Sequence, residues 1–496
     1  MTAKVVMVQG SSSSAGKSLL VGALCRIYAR RGLRVAPFKA QNMSNNAAVC
    51  PDGGEIGRAQ ALQAAAAGIE PSVQMNPVLI KPEADARSQI IVLGRVWGTF
   101  AARQYYQQKP FLWTQVTTAL DQLREQYDLI IIEGAGSAAE LNLRRGDIVN
   151  MAVARYAHAP VLLIGDIDRG GIFAQLLGTL WLLEPEERAL VRGLVVNKFR
   201  GDLTLFADGV KILEEKGNVP VLGVVPYLRN LYLPDEDAVS IEKPASPEPL
   251  PPAGVDIAVV RLPRISNFDD FDPLRAEPGV RLRYVASAQE LGQPDAVILP
   301  GTKSTLADLI WLRESGLAGA VCDFAAHGGS VVGICGGFQM LGKSLHDPQH
   351  IESSDVEHAD GLGLLPVSTR FLAQKTTTRT RAIIRSGAGW LAALKGQPLD
   401  GYEIHLGETR GGASLLEIRH KRDGAFSADG KIWGCYLHGL FVNDTFRHAW
   451  LKSLGWTGAN ALPSEAALLN QSLEALADAV EAALDMDLLE KIIFSV

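Results

Sequence analysis

Short apolar runs, each closing on a glycine-rich or polar turn, recur along the chain. Val5 to Val8 precedes Gly10, Leu129 to Ile132 precedes Glu133-Gly134, and Val161 to Ile164 precedes Gly165-Asp166. Leu194 to Val196, Ala296 to Leu299 and Val331 to Ile334 lead in the same way into Asn197-Lys198, Pro300-Gly301 and Cys335. Continuous apolar runs suit strands buried on both faces of a parallel sheet. Helical patterns lie between them. After Lys17, residues Leu19, Leu20, Ala23, Leu24, Ile27 and Tyr28 share one face, and Gly32 supplies a C-terminal stop. Alternating strands and helices predict α/β architecture, with ligands beyond the carboxyl ends of the strands.

The alternation breaks once. From Glu242 to Gly254 the chain reads EKPASPEPLPPAG, with five prolines and neither period, which is the composition of a semi-rigid linker. A new strand pattern, Val255 to Val260, follows at once. The expected organisation is a first domain at 1–240, a linker at 241–254, a second domain at 255–450 and a helical tail at 451–496. Leu468, Leu469, Leu473, Leu476, Val480 and Leu484 stripe the tail, read as a helix packed on its own domain. The length of 496 residues agrees, since domains average about 150 residues.

Composition narrows the class. The chain is 47% hydrophobic and 21% charged, an ordinary globular balance. A net charge of -6, from 48 basic and 54 acidic residues, argues against nucleic acid as a partner but not against a small anion. Five cysteines (Cys25, Cys50, Cys322, Cys335 and Cys435) without close pairing read as reduced thiols. No signal-peptide pattern opens the chain, and no run approaches the roughly 18 apolar residues of a membrane span. The expectation is a soluble, cytoplasmic protein without a membrane partner; homo-oligomerisation is left open.

The strand turns carry the chemistry. Gly10-Ser-Ser-Ser-Ser-Ala-Gly16-Lys17-Ser18 follows a strand and opens an amphipathic helix. Backbone N–H groups there can cradle phosphates, with Lys17 reaching the β and γ phosphates of ATP and the Ser18 hydroxyl offered to Mg²⁺. Partitioning ATPases with such loops carry a second lysine where this chain has Ser12. A phosphate loop with five spacer residues, followed by Ile132-Glu133-Gly134-Ala135-Gly136, resembles dethiobiotin synthetase and its relatives. The resemblance implies Glu133 as a second Mg²⁺ ligand and Asn197-Lys198 as an adenine-contacting turn. Asp166 and Asp168, in GDIDRGG, serve metal or substrate or cap the following helix.

In the second half, Gly333-Ile334-Cys335-Gly336-Gly337 has the pattern of a nucleophile elbow, a strand turning sharply into a helix whose N-terminus favours a thiolate. Cys25, Cys322 and Cys435 read instead as structural. His438, in Gly434-Cys-Tyr-Leu-His438-Gly, is the candidate base. With Pro300-Gly301-Thr302, these residues resemble the class I glutamine amidotransferases. That family implies oxyanion donors at Thr302 and Gly336 and a glutamine-binding role for Gln339. Its members commonly place a glutamate two residues after the histidine, where this chain has Leu440, so the orienting carboxylate is missing or comes from elsewhere and a Cys335–His438 dyad is as far as the sequence reaches. This lack, and Gly401-Tyr402-Glu403-Ile404-His405, resemble the corrinoid-amidating branch; His405 binds substrate or stabilises structure.

Fusion of the two halves describes an ATP-dependent amidoligase. Pro37-Phe38-Lys39-Ala40-Gln41-Asn42-Met43-Ser44-Asn45-Asn46 and Gln74-Met75-Asn76-Pro77-Val78-Leu79-Ile80-Lys81-Pro82 make the chain, tail aside, resemble the cobyric acid synthase family of cobalamin biosynthesis. The resemblance implies a corrinoid substrate, with amidation of the b, d, e and g carboxylates of adenosylcobyrinic acid a,c-diamide. ATP and Mg²⁺ would serve one site, and glutamine would be the ammonia donor. Lys39, Lys81, Arg58 and Arg87 become candidate counter-ions. The alternatives are cobyrinic acid a,c-diamide synthase or another amidoligase of the same branch, and, from another class, a regulatory ATPase with a degenerate amidotransferase.

Overall fold

The computed structural model describes residues 2–84, 87–229, 231–234, 254–353, 355–458 and 463–495. The expected linker lies outside these, Gly254 excepted. Two compact units divide the chain. Met1–Ser44, Gly54–Pro234 and Ala466–Val496 form one, and Asn45–Gly53 with Asp235–Glu465 the other.

The first unit is built on a six-stranded sheet, all parallel, ordered Val221–Pro226, Val191–Phe199, Val161–Asp166, Lys4–Gly10, Leu129–Glu133, Val35–Phe38. The central runs are buried throughout, which is why they read as uninterrupted apolar stretches. Pro37 sits in an edge strand, where a missing N–H is tolerated. Register brings the polar ends together: Val8 lies opposite Glu133, Gly10 opposite Ile164 and Asp166 opposite Asn197. Helix Lys17–Arg30 follows the first strand and buries Leu20, Leu24, Ile27 and Tyr28. Leu19 departs from expectation and is 39% exposed, because it sits about 100° around the helix from Leu20, beyond the stripe. A second sheet, ordered Gln41–Met43, Val78–Ala84, Arg87–Val92, Arg95–Ala101, was not anticipated from the apolar runs.

The tail corrects a further expectation. Only helix Asp444–Ser453 stays with the second unit, whereas helices Glu465–Ala483 and Met486–Phe494 complete the core of the first. Leu473, Leu476, Val480 and Leu489 share a cluster with Val6, Val8, Leu24 and Ile131. Arg30 adds surface ion pairs to Glu474, Asp478 and Glu481, which contribute little beside apolar burial. Leu476 is 2% exposed, so Leu476→Ala is expected to destabilise this unit by about 2–5 kcal/mol, read as a lowered urea midpoint.

In the second unit a sheet runs Val280–Val285, Val255–Val260, Ala296–Leu299, Ser330–Ile334, Ile432–Cys435, Ala425–Phe426, parallel except for the last strand. Leu299 lies opposite Gly333, and Ile334 opposite Cys435. A separate antiparallel pair, Val367–Ile384 with Pro398–Gly411, presents mostly polar positions and escaped the apolar reading. The segment Asn45–Gly53 also belongs to this unit: Ala47 N donates to Asn267 Oδ1 at 3.1 Å and Arg379 Nε to Val49 O at 2.7 Å. Among the described residues no helix is long and apolar enough to cross a membrane.

Candidate active sites

At the first site, the strand Lys4–Gly10 ends in the serine-rich loop, and Gly16, at φ +100°, opens helix Lys17–Arg30. A Cβ on Gly16 would collide with the amide of Asn197, so the position requires glycine on both counts. Lys17 is 7% exposed, and its Nζ donates to Ser12 O at 3.1 Å and to Gly136 O at 2.8 Å. The ammonium thus lies between the loop and the turn after Glu133. Asn197 Nδ2 donates to Ala15 O at 2.9 Å and Lys198 Nζ to Ser14 O at 2.8 Å, so both side chains brace the loop.

Glu133 is fully buried at its strand end. Its Oε1 accepts from the Ser18 hydroxyl at 2.9 Å and pairs with Lys39 Nζ at 2.8 Å, while Oε2 accepts from Gln63 Nε2 at 2.5 Å. A hydroxyl and a carboxylate at this spacing make an all-oxygen donor set that fits a small hard cation. Among the described residues no cluster of three or more His, Cys, Asp or Glu could hold a metal unaided. Burial, with the charge of Glu133, pushes the Cys25 thiol far up, matching its structural reading.

The other candidates of this unit separate. Asp166 is 1% exposed and pairs with Lys198 at 2.8 Å; Asp168 pairs with Arg200 at 2.6 Å. Neither caps the following helix, whose N-cap is Gly171. Lys39 and Lys81 are buried and paired with Glu133 and Glu55. Arg58 heads helix Arg58–Ala66, and Arg87 is exposed.

At the second site, Ser330–Ile334 turns through Cys335, at φ 52° and ψ -108°, into helix Gly336–Leu341. Such a backbone costs a non-glycine residue about 1–3 kcal/mol and marks a built turn. A Cβ on Gly336 would stand 3.2 Å from Thr302 N, so the two expected oxyanion donors are neighbours. The Thr302 hydroxyl is anchored to Asp308 and to Arg264 O, and Asp308 is tied in turn to Arg264 at 3.0 Å. Gln339 is buried, with Oε1 accepting from Thr305 Oγ1 at 2.8 Å and Nε2 donating to the Tyr436 hydroxyl at 3.0 Å. His405 stacks on Tyr436 with ring centroids 3.9 Å apart and bonds to Gly407 O and Glu403. Cys335 is 7% exposed, and its Sγ donates to Ile404 O at 3.5 Å.

His438 is 1% exposed and stacks against Tyr402, 5.2 Å between centroids. Its Nδ1 meets Asp270 Oδ2 at 2.6 Å, and Asp270 Oδ1 accepts from Gly439 N at 2.8 Å. The orienting carboxylate therefore comes from elsewhere in the chain: Asp270, on the Phe268–Phe271 turn, adds a third member to the Cys335–His438 pair. Burial alone would lower the His438 pKa. The charges of Asp270 and Cys335, with hydrogen bonds to both, raise it instead from 6.5 to about 10. Because the folded value is the higher, the pair stabilises the fold fully below pH 6.5, and that contribution is lost as pH rises through about 10. Asp270→Asn is expected to lower the kcat of glutamine hydrolysis by about 10²–10⁴. Its alkaline limb should move to lower pH, which a pH–rate profile checks.

The comparisons agree with the two kinds of domain. Residues 6–240 match the family described as CobQ/CobB/MinD/ParA nucleotide binding domain, and 256–446 that of CobB/CobQ-like glutamine amidotransferase domain. The chain is 56% identical to the cobyric acid synthase of Chloroflexus aggregans, covering 99% of each chain. It is 56% identical to that of Roseiflexus castenholzii over 92% of this chain and 93% of the relative. Identity to that of Sorangium cellulosum is 52%, again over 99% of both. With such identity along nearly its whole length, and a buried thiol–imidazole–carboxylate set in a polypeptide that also carries a phosphate loop, the chain belongs to the cobyric acid synthase family.

Proposed function

We propose that the chain amidates the b, d, e and g carboxylates of adenosylcobyrinic acid a,c-diamide, consuming ATP and glutamine and yielding adenosylcobyric acid. The observation that carries this reading is the alignment of Cys335, His438 and Asp270 in a chain that also holds Lys17, Ser18 and Glu133 around a phosphate loop. The thiol and the phosphate loop divide the labour.

Cys335 Sγ attacks the amide carbon of glutamine while the N–H groups of Thr302 and Gly336 meet the developing oxyanion. Gln339 and Tyr436 form the hydrogen-bonded wall beside the thiol. His438, oriented by Asp270, delivers a proton to the departing nitrogen. Ammonia leaves, and water hydrolyses the thioester to glutamate. At the other site, Gly10 to Ser18 cradle the triphosphate, with Asn197 and Lys198 holding the loop in shape. Lys17 neutralises charge as the γ-phosphoryl group passes to a corrinoid carboxylate. Ammonia then attacks the acyl carbon and phosphate departs. Ser18 and Glu133 would hold Mg²⁺, which supplies positive charge against the triphosphate.

Incubation with adenosylcobyrinic acid a,c-diamide, ATP and glutamine, read by mass spectrometry, tests the reading. The expected result is successive replacement of four acids by amides; amidation of cobyrinic acid at a and c instead would assign the sibling activity.

A further inference from the structure

One cavity of the first unit, of about 890 Å³, is not used by the nucleotide chemistry above. It lies at the upper end of the roughly 300–1,000 Å³ of small-molecule sites, so it suits a large ligand. Its wall includes Ser13 of the phosphate loop and Ala135-Gly136 of the turn after Glu133. Lys17 Nζ donates to that same Gly136 O. The cavity therefore opens onto the place where a γ-phosphate would be delivered.

Glu140, Asp147 and Glu187 are part of its wall, but two other chemistries dominate it. Met43, Leu141 and Leu143 are 60%, 51% and 44% exposed, a concentration of bare apolar surface that calls for a ligand. Phe100 and Tyr105 extend this wall. Facing solvent on separate elements are Arg87, at the start of strand Arg87–Val92, and Arg155, on helix Met151–Ala157. Among the described residues no carboxylate pairs with either, whereas Arg144 in the same wall is tied to Glu184 and Glu187. Lys109 stands 4.4 Å over the Tyr106 ring in the same wall.

We propose that this cavity seats the corrin macrocycle, its ring against the apolar wall and its peripheral carboxylates against Arg87, Arg155 and Lys109, with one acid presented to the phosphate loop. This deepens the functional reading and rests on it. Cations on three different elements can meet whichever acids are not reacting, so the macrocycle can turn and present each acid to one loop. Every amidation removes one negative charge, so the hold weakens as the product matures.

The test uses the full chain. Arg87→Ala/Arg155→Ala is expected to raise the KM for the a,c-diamide substrate at least tenfold, with a smaller rise for partly amidated intermediates. Met43→Glu, which sets a negative charge into the wall, should act in the same direction. The urea midpoint of the first unit, unchanged from the unaltered enzyme, reports that each variant has folded. An unchanged corrinoid KM in both variants, with the unaltered enzyme active on that substrate, overturns the cavity assignment alone. Failure of the unaltered enzyme to amidate any corrinoid would overturn the functional reading and the cavity assignment with it.

Discussion

Cys335→Ala is expected to abolish glutamine-dependent amidation while leaving amidation from added ammonium salts. Only Cys335 combines a strained elbow, the adjacent Thr302 and Gly336 N–H groups, and interaction with a His438 held by Asp270. Three of the other four thiols are poor substitutes: burial pushes Cys25 and Cys435 far up and raises Cys322 as well. Loss of a nucleophile that acts as a unit with its base lowers turnover by a factor on the order of 10⁴ or more. Ammonia enters after the thioester step, so the ammonium-driven rate measures carboxylate activation alone. Loss of both activities in a folded variant would contradict the separation of the two chemistries.

Lys17→Ala should have the complementary outcome, with both glutamine- and ammonium-driven amidation lost. The Lys17 ammonium is held within 3.1 Å of two backbone carbonyls that border the phosphate loop. No described neighbour replaces it there, since Lys39 is committed to Glu133 and Lys198 to Asp166 and Ser14. Removing a cation that meets charge in a phosphoryl-transfer transition state costs about 10³–10⁵ in rate. Glutamine hydrolysis without ATP should persist, since its residues belong to the second unit. A variant that still amidates with ammonium would remove Lys17 from the activation step.

Much of this was legible because it is contiguous. The phosphate loop and the elbow each fit within a few residues at a strand end, and parallel strands announce themselves by being apolar on both faces. Asp270 was not legible. It reaches His438 from 168 positions away, within an acidic run that has no period and no fixed offset from the histidine. Strand Arg95–Ala101 and the hairpin Val367–Gly411 were missed because their half-exposed positions mix threonine, arginine and apolar residues. The leucine stripe of the last helices declared that one face is buried but could not say against which unit.

That return of the C-terminus has a consequence for biosynthesis. The sheet bearing the phosphate loop is translated first and sealed last. Until the ribosome has released Leu489 and Ile493, a nascent chain leaves the Val6, Val8 and Leu24 face open to water. The segment encoded second reaches its own full complement earlier, at Glu465, reversing the usual N-to-C order of domain folding. A chain truncated just after residue 465 would therefore keep the glutaminase unit whole but leave the ATP unit unsealed, with the Val6, Val8 and Leu24 face open to a chaperone.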